Sequence, residues 1–270
     1  MNEPENKENK KNQIDENSID NITGEEANDK IIKREINRKL FLSLLTGSLA
    51  SIAGFAGYKY IIGGKDEGGI PSILRKSHEF NENISKYYSQ PKKMVPTFSE
   101  DKIKEIRVNG DAGLGEDFEI KDWKLNVYGE TGHKVFTMND IKSFKPVEMI
   151  TEFKCIEGWS TIVKWKGTSL FEFLMKHQII SPKSKYIYME TPDQEYYVGL
   201  DIESAIHPQT LLAYELNNQP LTLEHGAPLR LSIPVKYGIK NIKRIGTIRV
   251  MNTRPKDYWA EQGYDWYSGH

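Results

Sequence analysis

The stretch Thr151-Glu-Phe-Lys-Cys-Ile-Glu-Gly-Trp-Ser-Thr-Ile-Val-Lys-Trp-Lys166 decides how the chain is read, because it holds the only cysteine, Cys155. Val147, Met149, Thr151 and Phe153 alternate ahead of it, so the thiol falls at the end of a predicted strand. Gly158 interrupts the run, and a second β-rich piece, Thr161-Ile-Val-Lys-Trp165, begins. A lone thiol makes no internal disulfide, and in an exported chain it is a liability unless buried or used. Two readings follow. Cys155 is a small buried hydrophobe, or it faces a cavity and supplies a single thiolate ligand to a soft metal whose other ligands come from a cofactor.

Working outward, the 270 residues are 38% apolar and 28% charged, with a net charge of −1, which suits one domain of ordinary size plus an extension. Near-neutral charge gives no support to nucleic-acid binding. The extension is at the front. Residues 1–30 are rich in Asn, Glu, Lys and Asp and are read as disordered, because they cannot bury enough apolar surface to offset the entropy of ordering. The basic cluster Lys33-Arg34-Glu-Ile-Asn-Arg38-Lys39 follows, and Leu40 to Tyr58 then carries no charge. As a helix that run spans about 28 Å, close to a bilayer core of roughly 30 Å. A buried core helix is the other reading. The flanking cations favour a membrane span with the tail in the cytoplasm and residues 63–270 outside. Asn37-Arg38-Lys39-Leu40-Phe41-Leu42 is similar to a twin-arginine export signal with lysine in the second position, and no clear cleavage site follows it.

The expected organisation is therefore a cytoplasmic tail with a basic flank (1–39), a transmembrane anchor or export signal (40–62), a linker and wrapping segment (63–100) and a catalytic domain (101–270). Residues 72–100 read as short helical or irregular pieces. Strands are predicted at Trp123–Gly129, Tyr186–Glu190, Leu211–Leu216, Leu229–Pro234 and Lys243–Met251, and helices at Met138–Phe144 and after Thr168 as N-cap. This is an α+β fold, mostly β.

Residues 225–256 hold eight Lys or Arg and no Asp or Glu, among them Arg230, Lys236, Lys240, Lys243 and Arg244. The strip is a solvated basic face, or it is an anion site in which Arg offers a fork, Lys a point charge and glycine-adjacent amides approach closely.

Cys155-Ile-Glu-Gly-Trp-Ser, Trp165-Lys-Gly-Thr and Leu170-Phe-Glu-Phe-Leu174 resemble the molybdopterin-dependent oxidoreductases of the sulfite oxidase superfamily, in particular the bacterial protein-methionine-sulfoxide reductase catalytic subunit group. His207-Pro-Gln-Thr-Leu-Leu-Ala213, His225-Gly-Ala-Pro-Leu-Arg-Leu231, Pro234 and Lys236-Tyr-Gly-Ile-Lys-Asn-Ile-Lys243 follow in family order, so the resemblance covers about residues 120–253.

The resemblance implies a sulfite-oxidase-type fold and a mononuclear molybdenum cofactor, Mo-molybdopterin. It makes Cys155 the protein ligand to the metal and the catalytic residue. Thr191, His225, Arg230, Asn241, Ile242 and Lys243 match positions that contact the pterin or its phosphate. His225 departs from the reductases, which place asparagine there, and agrees with the sulfite oxidases; it is otherwise a core histidine. The reductases also carry an Asn-Asn-Phe-Tyr-Glu segment ahead of the domain that has no counterpart between residues 63 and 120, which leaves open what closes that side. His207 reads as structural, and Asp201 and Glu157 as capping or surface groups rather than proton carriers.

The implied activity is two-electron oxygen-atom transfer by an exported, membrane-tethered enzyme on the extracytoplasmic (periplasmic) side, reducing a sulfoxide-like substrate. Sulfite oxidases place arginines just after the metal-bound cysteine. Ile156-Glu157-Gly158-Trp159 stands there instead, and a carboxylate repels sulfite unless Lys154 or Lys164 points inward. Trp159, Tyr196 and Tyr197 are candidate aromatic walls. The alternatives are sulfite oxidase/dehydrogenase-type oxidation and a non-enzymatic membrane-tethered binding protein that keeps the fold. With a single cysteine there is no Cys-x-x-Cys-His haem attachment, so a redox partner protein is expected, a membrane haem or quinone-linked subunit. The length leaves no room for the dimerisation domain of the sulfite oxidases, so a monomer or small complex is expected.

Overall fold

The structure is a computed structural model that describes residues 70–89, 93–115 and 118–270, together with 37, 40, 43, 51, 53–59, 66 and 67. The chain divides into two compact units, Met1–Gly64 and Lys65–His270. In the first, residues 53–59 are helical. Most of the expected span at 40–62 and all of the expected tail except Asn37 lie outside the described residues. Among the described residues no helix is long and apolar enough to cross a membrane.

The second unit opens with two short strands, β1 (Asp66–Glu67) and β2 (Ile70–Pro71), which pair antiparallel ahead of helix α1 (Ser72–Ser89). Here the sequence reading needs correction, since residues 72–89 form one helix of 18 residues rather than short pieces. Pro71 and Pro91 bracket a run free of proline and glycine, which nothing interrupts. The Arg254 guanidinium binds the buried Glu82 carboxylate and fixes this helix.

The strands that follow are β3 (Leu125–Gly129), β4 (Gly132–Phe136), β5 (Val147–Lys154), β6 (Ser160–Ser169), β7 (Tyr186–Glu190), β8 (Tyr197–Asp201), β9 (Leu211–Leu216), β10 (Gln219–Pro220), β11 (Arg230–Ser232) and β12 (Thr247–Met251). Between them lie the short helices α2 (Met138–Lys142), α3 (Leu170–Lys176) and α4 (Ile202–Ala205), and α5 (Tyr258–Glu261) comes last. One sheet runs β4-β3-β12-β7-β8 and the other β10-β9-β6-β5, with β11 also paired to β9. All of these pairings are antiparallel except β12 on β3. The mostly-β α+β expectation holds at this level.

The main core lies where both sheets contribute: Leu125, Val127, Ile187, Met189, Val198, Leu200 and Ile248 from one, Leu212, Tyr214 and Leu231 from the other, with Leu170, Phe173 and Leu174 of α3. On β9 the intervening Leu211 and Ala213 turn to the opposite face and join Met149, Val163 and Trp165 in a second cluster. That is the two-residue period of a strand buried on both sides. Residues 93–104 cross the outer sheet, where the Phe98 N–H bonds the Ile150 carbonyl at 3.0 Å and the Lys104 N–H the Ile162 carbonyl at 2.9 Å.

Helix starts follow side-chain chemistry. Thr137 and Asp140 form a reciprocal capping box on α2. For α3 the cap is Ser169, not Thr168: β6 continues through Ser169, and the Thr168 hydroxyl donates instead to the Ile141 carbonyl at 2.7 Å.

Two lysines of the basic strip are structural. Lys240 is wholly buried, donates to the Gly199 carbonyl at 3.0 Å and to the Asp257 carboxylate, and lies 4.7 Å from the Trp266 ring centroid. Lys236 pairs with Asp201 at 3.3 Å, and burial pushes its amine down to about 7 against the pull of that carboxylate. Asp201 also caps α4. Breaking a buried pair leaves an uncompensated charge. Asp257→Ala is therefore expected to cost about 3–5 kcal/mol, seen as a large drop in the urea midpoint, whereas Asp257→Ala combined with Lys240→Met recovers much of that loss.

Candidate functional site

The hairpin of β5 and β6 is closed by Cys155–Trp159. The Cys155 N–H bonds the Trp159 carbonyl at 2.9 Å, and the Gly158 N–H bonds the Cys155 carbonyl at 3.1 Å. Gly158 turns the chain at φ +87°, a left-handed conformation that residues with a Cβ adopt at a cost. This turn puts the sulfur at the edge of the sheet. Cys155 is 8% exposed and lines a cavity of about 190 Å³.

His225, Arg230, Asn241 and Lys243 line the same cavity. Arg230 stands at the start of β11, 2% exposed, with its guanidinium 4.8 Å from the Trp165 ring centroid. Its two terminal nitrogens donate to the carbonyls of His225 and Asn241, both at 3.1 Å, and its buried Nε has no partner among the described residues. Burial lowers this guanidinium to about 10. The half-buried Lys243 donates from its ammonium to the carbonyls of Asn109 at 2.9 Å and Gly110 at 2.7 Å. Burial first, and Arg230 second, push it down to about 8, while Asp111 and Glu224 act the other way. His225 is held below its ordinary value by burial and then by the two cations beside it.

Two cations, one buried and one half-buried, thus share one wall, and among the described residues their hydrogen bonds go to carbonyl dipoles. Fixed, dehydrated positive charge of this kind is unfavourable until an anion arrives, which is how a site for a phosphorylated ligand is built. The residues present fit such a group. Among the described residues no cluster of three or more His, Cys, Asp or Glu side chains is placed to hold a metal ion, so a metal at Cys155 would draw its remaining ligands from the cofactor.

The other expected contacts are placed differently. Thr191 is buried outside the cavity wall, its hydroxyl engaged with Asp193 and with the backbone of Tyr196. A Cβ on Gly113 would collide with the Thr191 side chain, so Thr191 supports the 109–113 segment from behind. Ile242 points its side chain into the main core, because its neighbours Asn241 and Lys243 take the cavity side of the turn. Asn241 accepts from the Ile233 N–H at 2.9 Å and donates to the Tyr237 carbonyl at 3.1 Å, which shapes the turn. Of the aromatic candidates, Trp159 and Tyr196 line the cavity; Tyr197 does not, and its hydroxyl meets Glu261 instead. His207 is buried against the backbone of Lys93 and Gln209, a structural role.

Sequence reading missed the segment that closes the remaining side. Ile106, Arg107, Asn109, Gly110 and Ala112 line the cavity, and the Asn109 amide lies 3.7 Å from the Cys155 sulfur as a donor. Val108-Asn-Gly-Asp was legible only as a turn-rich loop, because its partners Cys155 and Lys243 are distant in the chain. Trp259 and Tyr264 were missed for the same reason. Lys154 and Lys164 do not point inward. Lys164 pairs with Glu100 at 2.8 Å and Glu148 at 3.0 Å, and Lys154 approaches Glu152 and His270 beside a separate cavity.

A thiol and two cations without carboxylate partners within ion-pair distance face one cavity on this pair of sheets, an arrangement that suits an enzyme with a phosphorylated metal cofactor. The chain belongs to the family of oxidoreductase molybdopterin binding domains, which its residues 113–259 match. It is a molybdenum-dependent oxidoreductase whose cofactor is Mo-molybdopterin. A protein of Azospira oryzae provisionally named as the protein-methionine-sulfoxide reductase subunit YedZ1 is 30% identical to it over 86% of this chain and 87% of that one. The protein-methionine-sulfoxide reductase catalytic subunit MsrP of Campylobacter jejuni is also 30% identical, over 86% of this chain and 80% of that one. The subunit of the same name from Xanthomonas campestris is 36% identical over 53% of this chain and 49% of its own.

Two outcomes follow. Cys155→Ser is expected to lower molybdenum content by roughly tenfold or more with the fold retained, measured by elemental analysis beside a melting curve. The second concerns Lys243. In the cofactor-free protein burial disfavours its charged form, so it titrates near 8 rather than at the ordinary lysine value. A bound phosphate favours the charged form and raises that value again, so binding weakens as the pH rises through 8. The gap in Tm between loaded and cofactor-free protein should therefore be wider at about pH 7 than at about pH 9.

Proposed function

We propose that this oxidoreductase reduces a sulfoxide, with methionine sulfoxide in a polypeptide as the substrate class. In that reaction the sulfoxide takes up two electrons and two protons, the sulfur–oxygen bond breaks, and the products are the thioether and one water. The observation that carries the reading is the shared cavity: the Cys155 sulfur opens on the space that Arg230 and Lys243 leave electrostatically unsatisfied. When bound, the molybdenum cofactor supplies the two-electron exchange and the acceptance of an oxygen atom. The chain's own residues do the rest. Cys155 holds the metal, with the Asn109 amide as hydrogen-bond donor to its sulfur. Arg230 and Lys243 would hold its phosphate, and His225 would contact the organic half of the group. Asn241 and the backbone of Ile242 set the turn that presents Lys243, and Thr191 braces the opposite wall.

Phe153, Trp159, Tyr196, Trp259 and Tyr264 give the rest of the cavity a largely aromatic wall, with Arg107 and Glu157 as its further charged groups. Such walls suit a neutral thioether or sulfoxide better than a small dianion, which would need cations of its own. The relatives named as protein-methionine-sulfoxide reductase subunits support the same choice.

The uncharged run Leu40–Tyr58 behind its basic cluster supports a single-pass anchor with the catalytic unit on the extracytoplasmic side, reached by twin-arginine export. Electrons then come from a redox partner, a haem- or quinone-linked membrane subunit. The purified holoenzyme is expected to oxidise reduced viologen dye on addition of methionine sulfoxide, and to be slower by at least about a hundredfold with sulfite and ferricyanide. A reversed preference overturns the substrate assignment and favours sulfite oxidation.

A further inference from the structure

Glu157, two residues after the metal-binding cysteine, carries the only carboxylate among the described residues that line the cavity. One of its oxygens, Oε2, accepts from the Trp159 indole N–H at 3.1 Å and lies 3.4 Å from the Arg107 guanidinium. Arg107 in turn sits 5.1 Å from the Trp159 ring centroid. The three side chains form one cluster at the solvent side, with Arg107 60% and Glu157 51% exposed.

An ion pair this exposed contributes little to stability. Its position suggests another use. Among the described residues three Lys or Arg side chains line the cavity, and two of them, Arg230 and Lys243, are the more buried, where a bound phosphate would neutralise them. Arg107 alone of the three stands at the mouth, stacked on an indole that fixes its orientation. A guanidinium so placed is a fork for sulfite, sulfate or phosphate. Glu157 already stands against it, with Oε2 at 3.4 Å from one terminal nitrogen. We propose that Glu157 masks a latent oxyanion site centred on Arg107, and that this masking is what restricts the cavity to neutral substrates.

The inference rests on the sulfoxide-reductase reading and gives it a specificity-determining residue. Removing the carboxylate's charge leaves Arg107 without its anion beside the metal ligand. One unit charge at about 6 Å in an intermediate dielectric alters anion affinity on the order of tenfold.

The test uses holoenzyme of the wild type, Glu157→Gln, Glu157→Asp and the double variant Glu157→Gln with Arg107→Gln. Sulfate binding is titrated calorimetrically, and sulfate and sulfite are added as competitors in the dye-linked methionine sulfoxide assay. Glu157→Gln is expected to bind sulfate about tenfold more tightly than wild type and to show competitive inhibition in proportion. The aspartate variant keeps wild-type exclusion, and the double variant returns to weak binding. Unchanged sulfate affinity in Glu157→Gln overturns the masking role, and tight binding that persists in the double variant overturns the assignment to Arg107. Either result leaves wild-type sulfoxide reduction intact as a finding. A wild type that oxidises sulfite and ignores methionine sulfoxide instead sinks the underlying substrate reading.

Discussion

The site depends on positive charge that the chain itself does not neutralise. Arg230 and Lys243 are largely withdrawn from water at the bottom of a cavity and given carbonyl oxygens instead of carboxylates. Elsewhere in the same strip buried lysines do receive carboxylates, Lys236 from Asp201 and Lys240 from Asp257. The contrast separates lysines paired within the fold from cations at the cavity whose charge a bound anion would neutralise. A protein tolerates the second kind because ligand binding offsets the cost, so folding, cofactor loading and stability are linked.

Around that floor the two sheets act as a frame. Strand β9, buried on both faces, joins the main core to the outer cluster, and β6 lies beside it and begins at the turn that carries Cys155. The sulfur is therefore placed by eight register pairs between β5 and β6, from Val147↔Gly167 to Lys154↔Ser160. A ligand fixed by a ladder is held more tightly in place than one on a free loop. The opposite wall is a loop, residues 106–112, and it is held by the very groups it covers: Lys243 through the carbonyls of Asn109 and Gly110, and Cys155 through the Asn109 amide.

The charge arrangement at the mouth complements the one at the floor. The deep cations have only carbonyl partners among the described residues, whereas the shallow one, Arg107, has a carboxylate beside it. Aromatic side chains make up much of what remains, a wall that favours contact by dispersion and shape.

Much of this was legible in the residues. Alternation and glycine breaks marked the strands on either side of Cys155, and a local excess of Lys and Arg marked a strip that read either as a solvated face or as an anion site. Those are short-range signals, carried by periodicity and composition. The same signals could not sort the strip: Lys240 and Lys243 are alike in sequence, and only the approach of Asp257 to one and of the Asn109 and Gly110 carbonyls to the other distinguishes them. Nor could they find Arg107, Asn109, Trp259 or Tyr264, which reach the cavity from outside the segments that carry the family motifs. The sequence alone determined the strand pattern, the lone thiol and the class of chemistry, because these are written in neighbouring residues. Tertiary structure decided which charges are paired and which face the cavity, because burial and pairing depend on contacts between residues far apart in the chain.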